Sequence, residues 1–187
     1  MAGFTPKELA SFRDRTVDDL IGDDISLLFV GINPGLWTVA TQTHFCHPTN
    51  RFYPALRRAR IIDWDLDPAT GMDESQRSDF VGSGMGITNL VNRATARASE
   101  LTRDELAAGG QRLEDLVADL RPKVVALAGV TAYRSAFRRP KASLGEQGEL
   151  ADSHLWVVPN PSGLNAHETV ESLSNWFAKV ATAAGIR

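Results

Sequence analysis

Short apolar runs alternate with amphipathic stretches along this chain. Such near-continuous runs are typical of parallel strands that are buried on both faces. They occur at residues 25–30, 87–91, 124–128 and 155–158. Capping residues and a helical spacing of apolar side chains predict helices between and around them. We expect these helices over about residues 5–20, 50–60, 102–120, 130–137 and from His167 onward, with Gly109-Gly110 separating two helices inside the third segment.

The alternation of strands and helices predicts a three-layer α/β/α sandwich with a central, mainly parallel sheet of four or five strands. A chain of 187 residues is expected to form a single domain. We assign residues 1–24 to an N-terminal helical extension and residues 25–187 to the core. Residues 31–49 show no clear period and predict a long loop, which is typical of a functional segment. Residues 63–84 are polar and glycine-rich, and residues 139–153 suggest a loop or hairpin.

Composition and charge narrow the class of protein. A hydrophobic content of 43% and a charged content of 23% are typical of a soluble globular domain. We find neither a membrane span nor a signal peptide, and the single cysteine excludes a disulfide within the chain. The expected location is cytoplasmic. The net charge of −3 argues weakly against nucleic acid, but arginines cluster at residues 57–60 and 134–139, so net charge does not decide the question.

Two Gly/Pro-rich loops, each following a predicted strand, carry the candidate chemistry. The first is Gly31-Ile32-Asn33-Pro34-Gly35, and the second is Asn160-Pro161-Ser162-Gly163-Leu164-Asn165. Ligands of open α/β sheets bind beyond the carboxyl ends of the strands. We therefore expect the two loops to share one site.

These loops and the segments between them resemble the mismatch-specific uracil/thymine DNA glycosylases, the second family of the uracil-DNA glycosylase superfamily. The matching segments follow the family order from residue 26 to about residue 180. They are Gly31-Ile32-Asn33-Pro34-Gly35, Phe45-x-His47-Pro48-x-Asn50-Arg51-Phe52, Gly86-Ile87-Thr88-x-Leu90-Val91 and Asn160-Pro161-Ser162-Gly163-Leu164. The resemblance implies an α/β/α fold, hydrolysis of an N-glycosidic bond without metal or cofactor, and a base flipped out of double-stranded DNA.

Under this resemblance the two asparagines are the catalytic candidates. Asn33 would hold the attacking water through its carbonyl oxygen, although an asparagine in such a turn can also serve only its backbone conformation. Asn160 would donate to the leaving base, and the alternative is an Asx turn before Pro161. The superfamily's better catalysts have a histidine at the position of Asn160, so we expect a slow enzyme.

The resemblance also implies a base-binding set and a DNA wedge. Phe45 would stack on the flipped base, with a core phenylalanine as the alternative. Asn89 would support uracil binding, with a strand-end cap as the alternative, and Thr38 would crowd the methyl group of thymine. Leu164 would fill the hole left in the duplex. The remaining members are Ile32 and Gly35 for the base, and Ser162, Gly163 and Asn165 beside the wedge.

Two further features refine the expected activity. Some family members have an arginine at the position of Ala166, and its absence argues against tight recognition of the opposite guanine, although backbone groups of residues 163–165 could still contact that base. His44, Cys46 and His47 suggest a metal site, but they cannot complete one alone and no second cluster follows, so no metal is expected.

We therefore expect a monomeric, monofunctional uracil-DNA glycosylase that begins base-excision repair. Its partner would be double-stranded DNA containing uracil or a mismatch, with G·U preferred and other deaminated or damaged bases as further substrates. The term monofunctional reflects the lack of a motif lysine for a Schiff base. The alternatives are a catalytically weak lesion- or mismatch-binding protein on the same fold and a hydrolase of free nucleosides or nucleotides.

Overall fold

The computed structural model describes residues 3–186, in which strands and helices alternate as the sequence pattern predicts. The strands are β1 (Leu27–Gly31), β2 (Met85–Asn89), β3 (Val124–Ala128), β4 (Gly145–Leu150) and β5 (Ser153–Val158). The helices are α1 (Pro6–Ala10), α2 (Leu36–Thr41), α3 (Phe52–Arg58), α4 (Glu74–Gly82), α5 (Arg103–Leu120), α6 (Val130–Ala136) and α7 (Val170–Ala184), with a short 3-10 helix at Ala98–Glu100.

The five strands form one sheet in the order β2-β1-β3-β5-β4. All neighbours are parallel except β4, which pairs antiparallel with β5 at the edge of the sheet. The prediction of a mainly parallel sheet is thus confirmed, with five strands. Segment 139–153 contains the first strand of the β4–β5 hairpin, so the hairpin alternative for that segment is the correct one.

Helices cover both faces of the sheet, and the strands alternate their side chains between the two resulting cores. Phe29 of β1 packs with Phe52 of α3, Phe80 of α4 and Phe177 of α7 on one face. Val30 packs on the other face, in a cluster that holds side chains of α5 and α6. The three-layer α/β/α architecture is therefore confirmed.

The N-terminal segment is less helical than predicted. Thr5 caps α1 as its capping box suggests, but the helix ends at Ala10 instead of continuing to about Leu20. Leu20 instead forms an antiparallel bridge to Ile87 of β2, with two backbone hydrogen bonds of 2.8 and 2.9 Å. The open edge of β2 recruits this backbone because its hydrogen-bonding groups need partners there.

Two further expectations about local structure were wrong. The predicted loop 31–49 contains helix α2. The polar stretch 63–84, for which no element was predicted, contains helix α4, which buries only Phe80 among its residues. Gly109 and Gly110 do not separate two helices but lie inside the single helix α5. A Cβ at Gly109 would come within 2.3 Å of the Leu90 carbonyl oxygen, and one at Gly110 within 2.8 Å of the Ala136 carbonyl oxygen. The two glycines therefore allow α5 to pack closely against Leu90, which follows β2, and against Ala136 of α6.

The parallel strands all end at the same edge of the sheet, and this edge positions the two candidate loops. β1 ends at Gly31, next to Asn89 at the end of β2, and β5 ends at Val158, next to Ala128 at the end of β3. No helix within residues 3–186 is long and apolar enough to cross a membrane.

Candidate active site

The turn after β1 is tied to the segment that follows β2. Carbonyl oxygens of Gly31, Ile32 and Pro34 accept hydrogen bonds from the backbone N–H groups of Leu90, Val91 and Thr95. The two segments therefore run side by side beyond the sheet, joined by backbone hydrogen bonds, and Asn33 lies on this paired backbone.

Asn33 is half-buried in this turn, and its amide nitrogen is held by its neighbours. Nδ2 donates to the carbonyl oxygen of Arg93 at 2.9 Å and to Oγ1 of Thr95 at 2.7 Å. Because the Arg93 carbonyl oxygen can only accept, this contact identifies the nitrogen end of the amide. The opposite end, the Oδ1 oxygen, is left as a fixed acceptor.

Charged groups hold the backbone that supports Asn33. The guanidinium of Arg93 bonds to the carboxylates of Asp14 at 2.9 Å and Glu105 at 2.8 Å. Hydrogen bonds from Arg93 and from the Thr102 backbone lower the pKa of Glu105 to about 2, so this carboxylate is ionised at neutral pH. Sequence reasoning missed this arrangement because its members are far apart along the chain.

Phe45 is half-buried beside Gly31, the last residue of β1, in an uncommon backbone conformation. Its φ of 55° lies in the left-handed region, where aromatic residues are rare, and such strain is frequent at functional sites. One face of its ring stacks on Phe52, with ring centroids 4.2 Å apart. Phe45 thus packs against the core and is also a candidate platform at the site.

Asn89 lies beside Phe45 and is 4% exposed. Its side-chain amide is 3.1 Å from Nδ1 of His44, and Nε2 of His44 is 2.9 Å from the carbonyl oxygen of Asp18. Arg112 of α5 donates to the backbone carbonyl oxygen of Asn89. A Cβ at Gly31 would come within 2.4 Å of the Asn89 Oδ1 atom and 3.3 Å of the Phe45 ring, so only glycine leaves room for both.

The second loop is a compact turn built from its own side chains. Oδ1 of Asn160 accepts from the backbone N–H of Ser162 at 3.0 Å, and Nδ2 of Asn165 donates to the Asn160 carbonyl oxygen at 3.0 Å. The Asx turn that the sequence offers as the alternative to a donor role is therefore present. It uses the oxygen of the Asn160 amide and leaves Nδ2 as a donor, so the turn and a donor role are compatible.

Arg51 joins the first loop region to the second. Its Nη1 donates to the carbonyl oxygens of Ser162 at 3.0 Å and Asn165 at 3.1 Å. Its backbone N–H donates to the carbonyl oxygen of Pro161. Gly163 lies against Thr49, because a Cβ there would come within 2.2 Å of the Thr49 Oγ1 atom. Sequence analysis did not single out Arg51, although it lies within the family-like segment.

Leu164 is presented to solvent by this turn. The residue is 86% exposed, whereas Leu144, the other exposed large apolar residue among residues 3–186, is 37% exposed. Within the turn, its backbone N–H donates to Oγ of Ser162 at 3.3 Å. The turn therefore holds this leucine in solvent, where a partner could contact it.

The other predicted site residues lie in different surroundings. Ile32 packs beside Gly129, which follows the end of β3. A Cβ added at Gly129 would be 3.3 Å from Ile32 Cδ1 and 3.8 Å from Asn160 Cβ. This brings the first and second loops together. Gly35 is the exposed N-cap of α2 with open space on its Cβ side, whereas Thr38 is 5% exposed within α2.

The residues that suggested a metal site make hydrogen-bonding contacts with other protein groups. His44 is buried against Asp18 and Asn89, and Cys46 is buried with its Sγ 3.5 Å from the Pro68 carbonyl oxygen. His47 lies at the surface with Nδ1 3.0 Å from Thr49 Oγ1. Among residues 3–186 no group of three or more His, Cys, Asp or Glu side chains is arranged to hold a metal ion.

Part of the basic surface is neutralised by acidic partners. Arg57 pairs with Asp65 at 3.0 Å and Arg58 pairs with Glu171 at 3.0 Å. These arginines therefore contribute less to an anion-binding surface than their clustering in the sequence suggests.

Two comparisons with known proteins bear on the family and the fold of this chain. The family model of the uracil DNA glycosylase superfamily matches residues 19–183. The fold is similar to the solution NMR structure of a candidate uracil DNA glycosylase from Methanosarcina acetivorans, with a TM-score of 0.58 and 16% sequence identity. That match covers 89% of this chain and 98% of the archaeal one.

Proposed function

Because this chain belongs to the uracil DNA glycosylase superfamily, we propose that it is a uracil-DNA glycosylase of the mismatch-specific kind. It hydrolyses the N-glycosidic bond of uracil in double-stranded DNA, prefers G·U pairs, and begins base-excision repair. It acts as a monomer that flips the target nucleotide out of the duplex. The observation that carries the proposal is the anchored amide of Asn33, whose oxygen is left as an acceptor at the carboxyl edge of the sheet.

Asn33 positions the nucleophile in this mechanism. Its Oδ1 accepts a hydrogen bond from a water beneath C1′ of the flipped nucleotide, and the contacts to Arg93 and Thr95 keep the amide from turning. The oxygen of the water bonds to C1′ while the bond from C1′ to N1 of uracil breaks, and the bonding electron pair leaves with N1. The water gives up one proton to solvent. An amide cannot take this proton at neutral pH, so catalysis rests on position and electrostatics.

The uracil anion is stabilised by donors and by stacking. Nδ2 of Asn160 is left as a donor by the Asx turn and is suited to a uracil oxygen, over which the anion's charge is delocalised. The ring of Phe45 carries the base, a contact worth roughly 1–3 kcal/mol. The side-chain amide of Asn89, which lies next to Phe45, forms a hydrogen bond with the edge of this base.

The turn that carries Leu164 supplies the duplex contact. Leu164 inserts where the flipped nucleotide was stacked, and the neighbouring Ser162, Gly163 and Asn165 lie against the strand. Its exposure of 86% supports this role, because a hydrolase of free nucleosides has no use for such a wedge.

Cleavage of defined oligonucleotides tests the function. Duplexes with uracil, thymine, hypoxanthine or xanthine opposite each normal base are incubated with the protein, and alkali then reveals abasic sites. We expect cleavage at uracil, fastest opposite guanine. Shifted bands on a native gel without any abasic product would contradict the proposal and favour a lesion-binding protein, whereas release of uracil from free deoxyuridine alone would favour a nucleoside hydrolase.

A further inference from the structure

Arg77 of α4 has no place in the mechanism above, yet its guanidinium reaches the loop that carries Phe45. Nη2 of Arg77 donates to the backbone carbonyl oxygen of Gln42 at 2.5 Å and to Oγ1 of Thr43 at 3.2 Å. Resting on the proposed function, we propose that Arg77 is a positioning residue that holds the ring of Phe45 where the flipped base stacks. It acts through the backbone of residues 42–45 and makes no contact with the base itself.

The loop that leads from α2 to Phe45 has a strained backbone. Gln42 and Phe45 have left-handed φ angles of 50° and 55°, although neither residue is a glycine. Such residues persist only where the surrounding structure fixes them, because the conformation is unfavourable by itself. The ring of Phe45 therefore keeps its place only if other parts of the protein hold residues 42–45.

Thr43 is the point at which this loop is fixed. It is 1% exposed, and its Oγ1 donates to the carbonyl oxygen of Thr41 at 3.2 Å and accepts from the backbone N–H of Met72 at 3.0 Å. A Cβ at Gly71 would come within 2.5 Å of the same oxygen, so the segment before α4 approaches it closely. Within residues 3–186, Arg77 is the charged donor at this oxygen.

The contact between Arg77 and Gln42 also caps the C-terminal end of α2. This helix begins directly after the turn that carries Asn33, and Gln42 follows its last residue. Carbonyl oxygens at a helix C-terminus carry a partial negative charge, which a cation stabilises. Arg77 forms no ion pair within the part of the chain that the structure describes, so its hydrogen bonds are directed to this loop.

A second anchor holds the other end of the loop and does not replace Arg77. Tyr53 of α3 donates to the carbonyl oxygen of His44 at 2.8 Å, and it stays a neutral donor because burial raises its pKa. That bond fixes the carbonyl group directly before Phe45, whereas Arg77 fixes the one at Gln42. Loss of Arg77 should therefore release the first strained residue and shift the ring of Phe45 without unfolding the protein.

A double-mutant cycle tests whether Arg77 acts through Phe45. Arg77→Met removes the donors and keeps an apolar chain, and Phe45→Leu removes the aromatic ring and keeps an apolar contact with Phe52. We expect Arg77→Met to lower the single-turnover rate on a G·U duplex about tenfold in the wild-type background and less than about twofold in the Phe45→Leu background. The same tenfold loss in both backgrounds would overturn the inference, because a general effect of stability or charge does not depend on residue 45.

Backbone hydrogen exchange gives a readout that does not depend on glycosylase activity. The N–H groups of Thr43 and Cys46 both form hydrogen bonds within residues 38–46. They should exchange about tenfold faster in Arg77→Met than in the wild-type protein, because the loop opens more often. The matched control is Arg134→Met on α6, which removes a guanidinium that also binds a loop carbonyl oxygen and should leave both rates unchanged.

Thr43→Val tests the same junction from the loop side. It removes the oxygen that Arg77 and Met72 contact, so it should also speed the exchange of the Cys46 N–H, whether or not Arg77→Met folds. Unchanged exchange in folded Arg77→Met or in Thr43→Val would overturn the inference. Wild-type protein that excises no uracil would contradict the proposed function instead, and the exchange rates would still be measurable.

Discussion

Arg51 donates a hydrogen bond from Nη1 to the carbonyl oxygen of Ser162 at 3.0 Å and so connects two segments that lie 111 residues apart in the chain. The same nitrogen donates to Asn165 at 3.1 Å, which places one guanidinium across the turn that carries Leu164. The turn that carries Leu164 is therefore held from the segment that also contains the base-stacking candidate Phe45.

Arg51→Ala should impair excision from duplex DNA more than from single strands. Loss of the two bonds loosens the wedge turn, which matters only where a neighbouring base pair must be held open. We expect about a tenfold lower single-turnover rate on a G·U duplex, since hydrogen bonds to a charged group are worth roughly 1.5–3 kcal/mol. Arg58→Ala, which breaks only an exposed pair with Glu171, is the control. Equal losses on both substrates would contradict the role in wedge placement.

Gly163→Ala should disturb the same turn by steric conflict. A new Cβ would lie 2.2 Å from Oγ1 and 2.7 Å from the backbone oxygen of Thr49. Adding Thr49→Ala removes only the first of these contacts, so the double variant should remain defective. Single-turnover rates on a G·U duplex give the comparison, and full recovery in the double variant would show that the Thr49 backbone is not the obstacle.

Asn33→Ala should lower the single-turnover rate on a G·U duplex at least ~100-fold, equivalent to about 2.7 kcal/mol of barrier. Thr95→Val should cost far less, about fivefold, because the Arg93 carbonyl oxygen still holds the amide. The pH–rate profile should contain no pKa that belongs to residue 33, since an amide does not titrate. A near-wild-type rate for Asn33→Ala would remove the proposed mechanism.

Thr38→Ala should raise the activity on G·T relative to G·U. We expect this because the variant lacks the threonine methyl group that crowds the methyl group of thymine. One methyl group in an apolar pocket is worth roughly 1–3 kcal/mol, so the rate on G·T should rise about tenfold or more. Rates on both mismatches are measured for the wild-type protein and the variant. Comparable wild-type cleavage of G·T and G·U would refute the selectivity assigned to Thr38.

Gly109→Ala should destabilise the protein although alanine is the better helix former. The added methyl would press on the Leu90 carbonyl oxygen at 2.3 Å, an overpacking that typically costs ~1–3 kcal/mol. Gly82→Ala is the matched control, because α4 ends there in open space and helix propensity alone should stabilise it by up to ~1 kcal/mol. Urea unfolding measures both, and a stabilised Gly109→Ala would contradict the packing argument.

Local sequence rules predicted the parts of the fold that local forces determine. Strand β3 was predicted with its observed bounds, 124–128, because Pro122 and Gly129 bracket a solid apolar run. The rules failed where tertiary contacts decide. Glycine is a poor helix former, yet Gly109 and Gly110 lie inside α5 because two backbones approach them closely.

The same distinction holds for the candidate site. The two loops were identified from their sequence, and the ends of β1, β3 and β5 bring them to one edge of the sheet. His44 and Arg51 were not assigned their present contacts, because a histidine beside a cysteine gives no sign of a partner in β2, and an arginine near a helix start gives no sign of a loop more than a hundred residues away.

The contact between Gly31 and the oxygen of Asn89 couples the two positions in any change of the pocket. A side chain can be added at residue 31 only if residue 89 becomes shorter, since both would occupy the same space. Libraries that vary one position at a time would therefore report both residues as intolerant. Redesign of base preference on this scaffold should start from paired substitutions at these two strand ends.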